Sequence, residues 1–129
     1  MSNYINRIMI IQHPYVNNLR STLSDDTTLD EWGPEWWRYL HLSIQLFPDQ
    51  IPEKLQHRIV SWILTFCQSL PCGVCRAHAI TYLTKNGINT KNKNELMTWA
   101  WRFHNHVNYF LNKPKYSWQN YVKNYNKFK

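Results

Sequence analysis

The chain has 129 residues and carries 15 Lys+Arg against 8 Asp+Glu, a formal net charge of +7. With 43% apolar and 16% aromatic residues but only three Gly, it can bury a core, which excludes a disordered polyelectrolyte and a loop-rich β-sandwich. Three cysteines are too few for a disulfide scaffold, and no apolar run approaches the ~18 residues of a membrane span.

Residues 1–30 read as an N-terminal extension, polar with scattered aliphatics. A short helix can be drawn around Ile5–Gln12, and SDDTTLDE reads as a polar hinge. The start lacks the apolar core and cleavage site of a signal peptide, so the chain is expected in the cytosol. Residues 31–129 make up the domain proper.

A helical period takes over at Trp32. The first helix is predicted after Gly33, with Pro34 in its first turn, and Pro48 stops it. Trp37, Leu40, His41, Ile44 and Phe47 form its apolar stripe. The second helix runs from about Pro52 to Ser69, with Leu55, Ile59, Trp62, Ile63, Phe66 and Leu70 inward. A third opens at PCGVC and ends near Asn86–Gly87. The fourth is predicted from an N-cap at Asn94 to about Asn112, with Leu96, Ala100, Phe103, His104, Val107 and Leu111 on one face. Ser117 then caps a short fifth helix carrying Trp118, Tyr121 and Tyr125. No period-2 strand or repeat is evident. The expectation is an all-α four-helix bundle with a short fifth helix.

The charge is uneven. Residues 1–71 hold 5 basic and 7 acidic side chains and residues 72–129 hold 10 and 1, or −2 against +9. A basic half suits an anionic partner such as nucleic acid, an acidic protein or a phosphate-bearing cofactor, and equally suits a solvated surface.

Cys72 and Cys75 are the first candidates for chemistry. A CxxC at a helix start sets sulfurs beside unsatisfied backbone N–H groups, where a thiolate is favoured, and the thiolate is the reactive species in disulfide exchange. The competing use is a zinc site made of Cys72, Cys75, His78 and His104, stabilising a basic nucleic-acid-binding module. The spacing argues against it, since C-x2-C-x2-H crowds three ligands into two turns. Cys67, five residues earlier, reads as a small buried thiol, with an intermolecular or relay role as the alternative. His41 and His104 each lie on an apolar stripe. One such histidine is ordinary core; two, beside Trp37 and Asn108, suggest a polar-lined cleft for an aromatic ligand.

WGPEWWRYLH, SLPCGVC, HNHVN and LNKP, in this order and spacing, resemble the Erv/ALR family of FAD-linked sulfhydryl oxidases over roughly residues 31–125. The short form, with RAHA after the CxxC, looks most like members from large cytoplasmic DNA viruses, asfarvirus-like ones especially. That resemblance implies a helical bundle holding FAD, usually a homodimer, without a resident metal. It implies that Gly33, Trp37 and His41 match a first FAD motif, and that His104, Asn105, Val107 and Asn108 match a second, around adenine and ribose. Lys113 would lie near the pyrophosphate, and Cys72 and Cys75 would be the redox pair beside the flavin ring. Dithiol protein substrates would be oxidised with O2 as acceptor and H2O2 as product, with attack at Cys72, taken as the more exposed sulfur. The virus factory in host cytoplasm, and the virion, would be the sites of action, with nucleic acid no longer the leading partner.

Two departures stand out. This sequence has no second, shuttle cysteine pair, so a thioredoxin-like or CxxC-bearing protein would deliver electrons directly. Thr84 and Trp101 stand where many members carry a further structural disulfide.

Overall fold

The computed structural model describes residues 29–126, with side chains from Glu31 onward, and the expected extension with its Ile5–Gln12 helix lies outside them. Five α-helices follow in order: α1 Leu29–Gln45, α2 Glu53–Gln68, α3 Gly73–Asn86, α4 Lys93–Phe110 and α5 Trp118–Tyr125. The only strand-like pairing among the described residues is an isolated bridge between Gln50 and Asn92. The class is all-α, with four long helices and a short fifth, as the periodicity predicts.

The described chain falls into two compact units. One holds Glu53–Ile88, that is α2 and α3, together with the start of α1 through Trp32; the other holds Gly33–Pro52 and the chain from Asn89 onward. In the first, Ile59, Val60, Ile63, Leu64 and Cys67 of α2 are buried, as are Ala79 and Leu83 of α3. The inward face of α2 is therefore broader than predicted, because Val60, Leu64 and Cys67 join it, while Leu55, Trp62 and Phe66 are only half-buried. Each fully buried Leu or Ile contributes about 1.5–3 kcal/mol. Gly87 closes α3 with φ 68°, a left-handed value that favours glycine, and its N–H donates to the Leu83 carbonyl at 2.8 Å.

The second unit positions the histidines. Helix α1 starts at Leu29 rather than after Gly33, so the tail of the expected hinge is helical and Pro34 sits in the second turn. Lacking an N–H, Pro34 leaves the Asp30 carbonyl without its usual helical donor. The buried face of α1 is Gly33, Leu40, His41, Ile44 and Gln45.

Helix α4 is capped by Asn92 rather than Asn94: its Oδ1 accepts from the Glu95 N–H at 2.8 Å. Asn92 with an acid three residues later is a capping sequence, whereas Asn94 lies inside the first turn. The start of α4 is tied to the end of α1. Lys93 N–H donates to the Asp49 carbonyl at 3.0 Å, and Lys93 Nζ donates to the Gln45 carbonyl at 3.1 Å, with Asp49 at 3.7 Å. The far end of α4 stops at Phe110, before the predicted Asn112. Asn112 takes φ 54°, its N–H donates to the Tyr109 carbonyl, and the Lys113 N–H donates to the Asn108 carbonyl at 2.9 Å. This is a Schellman closure with Asn in place of Gly, and it folds Lys113 back onto the last turn. Ser117 caps α5 as predicted, its side chain accepting from the Asn120 N–H at 3.1 Å.

Candidate functional site

The start of α3 presents the first part of the site. Cys72 is the N-cap, in extended backbone, and is joined to Cys75 as a disulfide with the Cα atoms 5.2 Å apart. The Cys75 N–H donates to Cys72 Sγ at 3.2 Å, so a backbone donor of the first turn points at the sulfur. Gly73 and Val74 between the cysteines are exposed. The cysteines themselves are both half-buried, so exposure does not single out Cys72 as expected. Arg76 donates through Nη1 to the Leu70 carbonyl, bracing the turn that carries Pro71. Cys67 is fully buried, and burial alone pushes its thiol far up from its ordinary value. It matches the expected inert core thiol.

In the other unit, α1 and α4 bring two histidines together. His41 Nε2 and His104 Nδ1 are 3.0 Å apart, one donating to the other. Trp37, one turn before His41, stacks on His104 with ring centres 4.0 Å apart and planes 7° from parallel. It also lies 5.8 Å from the His41 ring. Tyr121 meets His41 edge-on at 4.8 Å, Tyr125 lies at 4.9 Å, and Tyr116 stacks on His104 at 5.5 Å.

Both imidazoles are neutral at physiological pH. Burial lowers the His41 pKa well below its ordinary value, with His104 adding to the effect. His104 is lowered to about 4, first by burial and then by the positive charge of Lys113. Lys113 therefore acts electrically on His104 from the exposed turn after α4.

Of the other predicted residues, Gly33 is buried in α1, Val107 is half-buried and Asn108 is buried at 8% exposure. Asn105 has a second task. Its Oδ1 accepts from the Tyr116 N–H at 2.7 Å and its Nδ2 donates to the Tyr116 carbonyl at 3.0 Å. Trp101 Nε1 donates to that same carbonyl at 2.7 Å, and Lys115 lies over the Trp101 ring. Trp101 thus ties α4 to the segment leading into α5.

Gly33, Trp37, His41, His104, Asn105, Val107, Asn108 and Lys113 fall in one unit, and Cys72 and Cys75 in the other. Sequence reasoning assigned no role to Tyr116, Tyr121 and Tyr125. Tyr121 and Tyr125, four apart on α5, carried that signal; Tyr116 lies in a loop and carried none. The zinc reading is not supported. Among the described residues no three His, Cys, Asp or Glu side chains gather as a metal site, and both CxxC sulfurs are in a disulfide.

The unit is nevertheless suited to a flat polar ligand. His41 Nδ1 is buried without a partner among the described residues, and the rings of Trp37, Tyr116, Tyr121 and Tyr125 surround the pair. Such a setting fits the heteroaromatic rings of FAD.

A disulfide at a helix start in one unit and a ring-lined histidine pair in the other stand on an all-α frame, the arrangement of a helical protein built for thiol–disulfide chemistry. Residues 34–127 match the Erv1 / Alr family. The chain is 45% identical over 94 residues to the FAD-linked sulfhydryl oxidase of African swine fever virus (isolate Pig/Kenya/KEN-50/1950), covering 73% of this chain and 79% of the viral one. It is 26% identical over 103 residues to the FAD-linked sulfhydryl oxidase ERV2 of Saccharomyces cerevisiae, covering 80% of this chain and 53% of the yeast protein. The crystal structure of the FAD binding domain of Erv1 from Saccharomyces cerevisiae superposes with a TM-score of 0.74 at 23% identity, covering 80% of this chain and 98% of that one. This last likeness concerns the fold. The chain belongs to the Erv1/Alr family.

Proposed function

We propose that the protein is an FAD-linked sulfhydryl oxidase that forms disulfides in dithiol substrates at the expense of O2. The Cys72–Cys75 disulfide closed across the first turn of α3, in a chain of this family, carries the reading.

A substrate thiolate attacks Cys72 Sγ, forming a mixed disulfide and releasing Cys75 as a thiolate. A second substrate thiolate then attacks the substrate sulfur of that mixed disulfide. The substrate leaves oxidised, and Cys72 departs as a thiolate. The Cys75 N–H, already 3.2 Å from Cys72 Sγ, stabilises this leaving charge together with the helix start. Two substrate thiols have lost two protons and two electrons, and the CxxC holds the electrons as two thiolates. Bound FAD supplies the two-electron sink and the handover to O2 that yields H2O2. Trp37, His41, His104 and Asn108 would hold it, Lys113 would offset its phosphate charge, and neutral imidazoles add no competing charge inside the unit. Asn105 keeps the segment before α5 in place.

A thioredoxin-like or CxxC-bearing electron donor and a homodimeric assembly belong to the same proposal, supported by a sequence with a single CxxC and by the family.

The purified protein is expected to be yellow, to bleach under dithiothreitol without oxygen, and to recover its colour in air. Cys75→Ser is expected to abolish dithiol-driven oxygen consumption, measured with an oxygen electrode, while the flavin absorption remains. A colourless protein that takes up no FAD on refolding overturns the reading, and so does full activity in Cys75→Ser.

A further inference from the structure

His41 spends Nε2 on His104 and leaves Nδ1 buried without a partner among the described residues. The phenol oxygen of Tyr121 is in the same condition. Tyr121 is fully buried, its ring meets His41 edge-on at 4.8 Å, and its hydroxyl has no partner among the described residues. Gln45 Nε2, one helical turn past His41, and Asn126 Oδ1, the residue after α5, are unpartnered too. Buried polar groups are nearly always hydrogen-bonded, and an orphan left by folding is costly. The two whose rings touch, on His41 and Tyr121, point to a bound molecule that supplies their partners.

We propose that Tyr121 is a cofactor-binding residue, its hydroxyl hydrogen-bonding a polar atom of bound FAD next to the one met by His41 Nδ1, an inference that rests on the FAD reading above. The chemistry suits a heteroaromatic edge. If His41 donates to His104, its Nδ1 is an acceptor; if it accepts, Nδ1 carries the proton and donates. The phenol hydroxyl does either, so the two groups together can meet adjacent donor and acceptor positions on a purine or flavin ring. Burial, with Tyr125 and Tyr116 nearby, raises the Tyr121 pKa, so the hydroxyl keeps its proton throughout the working range. The ring is held by stacking on Trp118 at 5.4 Å and by Tyr125 at 5.2 Å, so the loss of the oxygen alone leaves its packing in place.

The test is Tyr121→Phe in the full chain with FAD, which removes only the oxygen. Flavin fluorescence on dilution reads the FAD dissociation constant, and thermal melting is followed as FAD is added. The expected result is a dissociation constant raised about tenfold, or about 1.4 kcal/mol. The melting midpoint should be lower than wild type at equal FAD and restored by about tenfold more. An unchanged dissociation constant overturns the assignment. So does a midpoint deficit that added FAD does not recover, since the hydroxyl would then be structural. A wild-type protein that binds no FAD overturns this assignment and the FAD reading together, whereas a failure confined to Tyr121→Phe leaves that reading standing.

Discussion

Burial keeps both imidazoles neutral, and acid therefore lowers the stability of the fold. His104 titrates at about 4 in the folded protein and His41 well below its ordinary value, while both return to near 6.5 on unfolding. Between about pH 4 and 6.5 the unfolded chain therefore binds more protons, so stability present above 6.5 is lost as the pH falls towards 4. Allowing for the half-open position of His104, the loss is of order 1–2 kcal/mol. Urea denaturation at pH 7 and pH 4.5 should show it, and His104→Gln should flatten the difference. An equal drop in that variant would place the acid sensitivity elsewhere.

At the scale of elements, the segment between α4 and α5 hangs on one carbonyl and one N–H, both of Tyr116. Asn105→Ala removes two hydrogen bonds to that backbone, leaving the Tyr116 N–H without its partner and the carbonyl with Trp101 alone. A loss of about 2 kcal/mol is expected in denaturant unfolding, with weaker FAD retention because Tyr116 stacks on His104. Unchanged stability would mean that Trp101 holds the segment alone. The helices themselves were legible because period and punctuation agree: Gly87 and Ser117 cap α3 and α5, and Pro48 follows the end of α1 by three residues. The start of α1 was not, since Pro34 reads as a first-turn residue whereas the helix begins five residues before it. The cap of α4 was misassigned because two asparagines flank Lys93 and only hydrogen bonding decides between them. His41 and His104 could be singled out as polar residues on apolar faces. That they bond to one another could not, because it depends on how α1 and α4 meet.

At the scale of the whole molecule, the strongest sequence-level asymmetry is charge, with ten basic and one acidic side chain in residues 72–129. One dinucleotide cofactor cannot balance them all. Acidic dithiol proteins should therefore be steered to this chain, and steering weakens as salt shortens the Debye length. Raising salt from about 20 to about 200 mM should lower kcat/KM for a reduced acidic dithiol protein on the order of fivefold, while dithiothreitol oxidation changes little. Equal salt dependence for both substrates would remove charge from partner selection.

Three cysteines admit three pairings, and an oxidant of thiols carries its own most accessible victims. Cys67 lies five positions from Cys72, yet its thiol is walled into the apolar face of α2 and resists ionisation. A sulfur that does not become a thiolate neither attacks the Cys72–Cys75 bond nor captures a substrate sulfur. Burying that one atom removes two of the three pairings, and so protects the catalyst from the reaction it performs on others.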